Sequence, residues 1–492
     1  MHRLQLEYKW LVGIVYIMAL FMDLLDMTVI NVAVPTLAQE FNASTTTIEW
    51  VVTGYLLSLA LFIPISGWLG DRFGTKRIFL SALTIFLAGS VLCGLAWDVE
   101  SLIAFRVLQG IGGGMLTPVG MTMLFRAFPP AERAAASAVL TVPITVAPAL
   151  GPILGGYLVD YQDWRWIFFI NIPFGIVALV ASFMVLREEK QEAVGRLDMP
   201  GFVLSGIGLV SVIYALAEAG QHGFDSARVL VFGLGGLTTL ALFTMVELRT
   251  AQPMIDVRLL RDRLFGASNF VMVVGNASIM GVFFILPIFL QTQKGLDAFD
   301  VGLITFPMAI GVAIMAPFAA KLYPKIGPRR MMITGFGGNV AMTAALAFVD
   351  YGTSDLLIAG NMLLRGMFFG FLVIPLQAAT FATISPEATG RASSIFSVSR
   401  QVAASLGIAV LATILTGRLG AHDAVLADPA TRDAALTAFQ DTFLIAAALS
   451  LPGVLAALLI DDKKALAAAG QPIEVHAEGD AHIPIPEEAA AG

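Results

Sequence analysis

Charge is what this sequence has least of. Of its 492 residues only 13% are Asp, Glu, Lys or Arg, while 57% are hydrophobic and the mean hydropathy is +0.82. A soluble domain carries about 25% charged residues, so a water-soluble globule is excluded. The single cysteine, Cys93, lies inside an apolar run and reads as a small packing residue; it rules out an intramolecular disulfide and any multi-cysteine metal cluster. His2, His222, His422, His476 and His482 are the only histidines, all at termini or in loops with no pair at i, i+4 spacing, and no metal site is expected. No lysine follows a glycine, so the Gly-Lys-Ser/Thr element that holds nucleotide phosphates is absent and ATP is not the direct energy source. Paired catalytic carboxylates and a nucleophile elbow are also missing, which argues against an enzyme. The net charge of −7 is scattered through loops and tail without a basic patch, so no nucleic-acid partner is expected.

What the chain does have is apolar runs. They fall at 11–35, 48–70, 78–97, 101–125, 134–159, 166–186, 200–217, 229–246, 264–290, 301–322, 331–349, 355–381, 392–415 and 443–460, each suited to a hydrocarbon layer ~30 Å thick. The first is too long for a signal peptide, contains Asp23 and Asp26, and lacks a small-residue cleavage site, so it reads as a retained helix. Fourteen spans place both termini on one side. With that side cytoplasmic, twenty Lys and Arg fall in cytoplasmic segments and five outside, as the positive-inside rule requires. The expected location is a bacterial cytoplasmic membrane, and an excess of Arg over Lys, 21 to 8, is consistent with a GC-rich bacterium without proving one. Residues 461–492, rich in Ala, Pro and acids, read as a disordered cytoplasmic tail. The external stretch 416–442 is the longest outside loop; a flexible linker is preferred there over a partner-binding segment.

The chain repeats itself at an offset of about 258 residues. The loop Gly67-Trp-Leu-Gly-Asp71-Arg72-Phe-Gly74-Thr-Lys76-Arg77 has a weaker echo in Lys325-Ile-Gly327-Pro-Arg329-Arg330; Arg106 with Gly110 is matched by Arg365 with Gly366 and Gly370, and Arg133 to Ser137 by Arg391 to Ser394. Two halves of six helices follow, 1–186 and 264–460, with two inserted helices and their linkers at 187–263. Transporters are the common home of such repeats.

The sequence resembles the major facilitator superfamily and, within it, the fourteen-span drug:proton antiporters. The resemblance rests on the loop Gly67 to Arg77; on Arg106-Val-Leu-Gln109-Gly110; on Gly151-Pro152-Ile-Leu-Gly155-Gly156; on Leu25-Asp26-Met-Thr28-Val-Ile-Asn31-Val-Ala-Val-Pro35; and on Trp164-Arg-Trp-Ile-Phe-Phe-Ile-Asn171-Ile-Pro173. It implies an all-α polytopic membrane protein with two six-helix halves plus two inserted central helices. It also implies that Asp71 contacts the opposite half and, with Gly67, Arg72, Gly74, Lys76 and Arg77, latches the cytoplasmic side. The Pro148, Gly151, Pro152, Gly155, Gly156 helix marks exporters of the antiport type, and Arg106 takes part in proton transfer. Two positions depart from the pattern: Ala147 replaces a glycine, and Pro324 stands where an aspartate would match Asp71.

Buried charge carries the most weight. Asp23 and Asp26 share a helix face inside the hydrocarbon slab, where an ionised carboxylate is costly, the property a proton carrier needs. Counting ~1.5 Å per residue puts Arg106 at the depth of Asp26, which makes an attraction between them, either coupling or structural, an expected feature. Arg365 and Arg400 also fall near mid-membrane. Two deep aspartates against three arginines do not favour a cavity dedicated to cations; neutral, zwitterionic or weakly anionic amphiphiles are at least as compatible. Asn31, Gln109, Asn276, Asn361, Gln377, Arg365 and Arg400 are candidates for the substrate cavity. The reading is a monomeric proton-coupled exporter of drugs or other amphiphiles, with protons as coupling ion and no cofactor. A dedicated exporter of one endogenous lipid, siderophore or antibiotic is the alternative, and a membrane enzyme or channel the remote one.

Overall fold

Inside a bilayer every backbone N–H and C=O must find its partner within the protein, and a run of ~20 apolar residues does so as a helix. The computed structural model describes residues 7–191, 195–250, 253–426 and 428–468. Seventeen α-helices occur among them. The first six-span set is α1 (Tyr8–Glu40), α2 (Thr45–Phe73), α3 (Thr75–Gly94), α4 (Val99–Ala127), α5 (Arg133–Tyr161), and α6 (Trp166–Phe169) continuing into α7 (Asn171–Val185). The inserted pair is α8 (Met199–His222) and α9 (Ala227–Arg249). The second set is α10 (Arg263–Lys294), α11 (Ala298–Thr305) continuing into α12 (Pro307–Ile326), α13 (Pro328–Leu346), α14 (Asp355–Ala382), α15 (Thr389–Ala421) and α16 (Arg432–Ala457), followed by a short α17 (Asp462–Ala468).

Side chains that suit N-termini begin many of these helices. Asp98 accepts from the Ser101 amide at 2.8 Å while the Ser101 hydroxyl accepts from the Asp98 amide at 3.2 Å, a reciprocal box at the start of α4. Asp262 accepts from the amides of Leu264 and Phe265 ahead of α10, and Asp297 from that of Asp300 in α11.

Thirteen helical stretches among the described residues are long and apolar enough to cross a membrane. Helix α13 is not one of them, because Arg329, Arg330 and Asn339 dilute it, yet it packs between α14 and α16 and completes fourteen. Two expectations need correcting. The last span begins at Arg432 rather than 443, since Ala435, Ala438, Phe439 and Thr442 are buried and draw the polar-looking stretch into the bundle; α15 also runs to Ala421, so 416–442 is mostly helix and not a loop. The tail starts as α17, which packs on α13 and α14 with Ala465 fully buried; the rest of the expected tail, 469–492, lies outside the described residues.

Helix α5 lies on the seam between the two sets, packing on α1 on one side and on α11, α12 and α14 on the other. Helices α2 and α4 meet α15 across the same seam. Helix α8 packs on α9, α2 and α15, so the inserted pair leans against both sets, while α9 turns most of its apolar surface outward. Glycine permits the tightest crossings: a Cβ on Gly407 of α15 would collide with the Ala277 carbonyl of α10. Overpacking such a contact costs about 1–3 kcal/mol or more. Gly407→Leu should therefore lower the thermal midpoint of the detergent-solubilised protein by several degrees. Gly417→Leu, in the same helix but facing open space, should leave it nearly unchanged.

Candidate functional site

The deepest polar cluster is built on α1. Asp26, 3% exposed, receives a hydrogen bond from Arg106 Nη1 to Oδ2 at 2.6 Å, and its Oδ1 accepts from Gln109 Nε2 at 2.9 Å and from Asn171 Nδ2 at 2.8 Å. Arg106 is wholly buried. Its Nη1 also reaches Gln109 Oε1 at 2.8 Å, its Nε reaches the Val51 carbonyl at 3.2 Å, and its guanidinium lies 4.2 Å from the Tyr55 ring centroid and 5.8 Å from that of Phe168. Asn171 is steadied in turn by Ser90, 3.1 Å away. Helices α1, α2, α3, α4 and α7 thus converge on one carboxylate whose donors offset the cost of carrying charge through hydrocarbon.

Asp23 stands one turn away and accepts a 2.6 Å hydrogen bond from the Tyr55 hydroxyl, with Gly113 of α4 leaving it room. It is also within electrostatic reach of Arg400 from the second set. Arg400 lines a cavity of about 40 Å³ at the seam with Ile144, Asn276, Phe369, Gln377 and Phe396 among others, and its carbonyl accepts from Asn276 Nδ2 at 2.8 Å. Pockets for drug-sized ligands hold about 300–1,000 Å³, so this conformer is closed around the space.

Three cavity candidates are therefore together: Asn276, Gln377 and Arg400. Arg365 faces a second, smaller cavity one turn further along α14. Three others lie elsewhere. Gln109 is fully buried and committed to Asp26 and Arg106. Asn361 donates to the Met342 carbonyl and ties α14 to α13. Asn31 is exposed and donates to Met27 in its own helix. Depth along a helix can be counted in sequence; the direction in which a residue points cannot, and that is why these three were misplaced. Tyr55 and Ser90 were missed because an isolated hydroxyl in an apolar run carries no signal of its partner.

On helix α5, Gly151 packs against Thr28 of α1 so closely that a Cβ would collide, and Gly155 faces Val29 and Val32. Gly156 has no such neighbour within 4 Å, and Pro148 and Pro152 are half-buried.

At the other end of the helices the two sets meet. Asp71 pairs with Arg126 at 2.7 Å, with both side chains largely buried, and its carboxylate lies against Gly390 at the start of α15, where the helix dipole favours an anion. Arg126 Nε donates across the seam to the Pro386 carbonyl at 3.0 Å, Arg133 donates to the Phe381 and Ala382 carbonyls, and the Phe125 and Phe381 rings stack at 4.4 Å. The Gly67 amide donates to Ser394 Oγ at 3.2 Å, and a Cβ on Gly67 would lie 2.6 Å from the Gly390 carbonyl. Lys76 Nζ donates to the Phe183 carbonyl at 2.7 Å, its amide to Glu188 at 3.2 Å, and Arg77 pairs with Glu188 at 3.5 Å. Arg72 follows Asp71 in the last turn of α2, and Gly74 ends that helix with φ +104°. In the second set Gly327 adopts φ +81°, and Asp462 accepts from the Arg329 amide at 2.8 Å. Burial holds that carboxyl above its ordinary range, against the pull of Arg329 and Arg330.

The sequence profile of the Major Facilitator Superfamily matches residues 16–408. The chain belongs to this superfamily. It is 34% identical over 417 residues to the "Multidrug resistance protein B homolog" of Mycobacterium tuberculosis, covering 84% of this chain and 77% of the relative. It is 31% identical over 462 residues to the "Putative multidrug resistance protein MdtD" of Salmonella heidelberg, covering 92% and 95%. Among solved structures it resembles the human organic anion transporter MFSD10 (TM-score 0.62, 16% identity, 91% and 99% covered) and the proton:xylose symporter XylE (TM-score 0.63, 15% identity, 91% and 94% covered). At those identities the likeness concerns the fold. This major facilitator protein is a multi-pass membrane transporter.

Removing one partner of a buried ion pair strands the other charge, at a cost of about 3–5 kcal/mol. Arg126→Ala should therefore loosen the closed side. In a Cys93→Ala background carrying Ser394→Cys, maleimide labelling should speed up roughly tenfold or more, since each ~1.4 kcal/mol is a factor of ten. Equal labelling rates with and without Arg126 would mean that the bridge does not hold the closure.

Proposed function

We propose that this transporter exports drugs or other amphiphilic small molecules from a bacterial cytoplasm in exchange for protons, by alternating access, with both termini on the cytoplasmic side. The observation that carries this reading is the Asp26 carboxylate, sealed from water and held by Arg106, Gln109 and Asn171. In the conformer described, with the Asp71 and Arg126 side closed, the ion pair keeps Asp26 charged at tolerable cost. A rearrangement that draws Arg106 away leaves a lone carboxylate in hydrocarbon, which is cheaper to protonate than to keep ionised. A proton entering from outside, before the Asp71 and Arg126 side opens, neutralises Asp26 and frees Arg106, and it leaves to the cytoplasm when the pair re-forms with that side open.

Asp23 is the accessory carboxyl. It is hydrogen-bonded to the Tyr55 hydroxyl, whose ring lies against Arg106, so its protonation would be felt by the Asp26 cluster. Each proton moved inward adds about 2.3 kcal/mol per 100 mV of membrane potential. Export in preference to uptake rests on the α5 glycine and proline pattern and on the multidrug names of the relatives. Broad specificity fits a cavity lined by Met272, Phe369 and Phe396, because thioethers and rings adapt to varied apolar shapes.

Inside-out vesicles test the coupling. Substrate added to vesicles with an acidified lumen should release protons, Asp26→Asn should reduce that release at least about tenfold, and Asp23→Asn should weaken it less; a normal response from Asp26→Asn would remove that residue from the mechanism. A hypersensitive host expressing the protein, challenged with a panel of toxic compounds, separates broad export from export of one compound.

A further inference from the structure

The two sets of helices carry corresponding buried arginines, and they are treated differently. Arg106 is neutralised by Asp26. Arg365, its counterpart in the repeat, is 2% exposed, has no ion-pair partner among the described residues, and its Nη1 has no hydrogen-bond partner. It faces a cavity of about 10 Å³ lined by Val282, Phe283, Leu286, Pro287, Thr305, Met308 and Met362, with no carboxylate among them. The Thr305 hydroxyl is occupied by the Val301 and Gly302 carbonyls of its own helix. That void holds about one water-sized group. A guanidinium left this way inside a membrane protein is expensive, and fixed arginines of this kind mark substrate or ion pathways.

The position of the cavity gives the arginine a purpose. It adjoins the larger seam cavity along two helices: Ile279 and Val282 of α10 line one each, as do Phe369 and Arg365 of α14. Four residues of helix separate the latter two, about 6 Å. A molecule with its apolar body among Met272, Phe369 and Phe396 would reach Arg365 with a polar end only a few bonds long.

We propose that Arg365 receives an anionic group, a carboxylate or comparable oxyanion, on the amphiphile that this transporter carries, while the adjoining seam cavity holds the apolar body. This rests on the export reading above and adds a substrate charge class to it. Planar, bidentate pairing with a carboxylate is what a guanidinium does best, and it would supply the counter-charge the protein withholds.

Equilibrium binding to the purified full-length protein in lipid nanodiscs tests this without any proton gradient. The probes are 2-naphthylacetate, the uncharged 2-naphthylacetamide and a naphthylmethyl trimethylammonium cation. Wild type should bind the carboxylate at least about tenfold more tightly than the amide, the ratio expected of a charge-assisted hydrogen bond. Arg365→Gln should collapse that ratio to about one while changing amide binding less than about twofold, and Arg365→Lys should restore part of it. The ligand-free thermal midpoint of Arg365→Gln should match or exceed wild type, because an unpaired buried charge has been removed. A wild type without carboxylate preference, a preference that survives Arg365→Gln, or a variant that loses stability and both probes alike would each overturn the assignment. If the binding pattern holds but no probe drives proton release from vesicles, the export reading fails and the anion site stands.

Discussion

Holding charge in hydrocarbon is the constraint around which the rest of this molecule is arranged. A carboxylate at mid-membrane must be paired, saturated with donors or protonated, and the first six-span set uses the first two together at Asp26. Five helices contribute to that arrangement: Arg106 and Gln109 come from α4, Asn171 from α7, Ser90 behind it from α3, and Tyr55 from α2 stacks on the guanidinium. Packing and electrostatics are the same thing here, since each helix is positioned by the polar group it delivers. A movement that parts α1 from α4 would strand a charge in hydrocarbon unless the cluster rearranges with it, so helix position and charge are tied together.

The second set has the same helices and a matching arginine but, among the described residues, no acid paired with it. That asymmetry is informative because the backbone plan is common to both. Where the first set invests in a closed network, the second leaves Arg365 and Arg400 directed at cavities, with Asn276 and Gln377 as the neutral polar company. The charges are divided accordingly: a closed ion-pair network in the first set and arginines at cavities in the second, with α5 between them.

How much of this could be read from the chain alone follows from the same physics. Lipid demands runs of ~20 apolar residues, so thirteen of the fourteen expected spans match observed helices closely, and even α13, diluted by arginines, lies where its flanking glycines and charges place it. The start of α16 is hidden in sequence because Arg432 to Thr442 mixes charged and polar residues among its apolar ones, and burial there depends on neighbours that sequence does not name. Counting the rise per residue was enough to bring Arg106 level with Asp26. It could not reveal that Gln109 turns toward that pair and away from the cavity, or that Asn361 serves α13, because a rotation of 100° per residue must be referred to a direction that only the fold supplies.

The loops that follow α2 and α12 show which part of the repeat is kept. In sequence the second copy of the Gly67 to Arg77 loop is weak, with Pro324 in place of the aspartate. In space the turn itself is kept: Gly74 and Gly327 both take positive φ, which side chains disfavour, and each is followed by a helix whose second amide is capped by an acid from just beyond the sixth span of its own set, Glu188 in one case and Asp462 in the other. What differs is the residue facing the seam. Asp71 reaches the N-terminus of α15 and Arg126, whereas Pro324 can form no ion pair. The repeated turn therefore serves the stability of each set by itself, and the Asp71–Arg126 ion pair is found on one side of the pseudo-symmetric pair. An ion pair present on one side only can break there without disturbing the turn in the other set, because that turn is held by contacts within its own six helices.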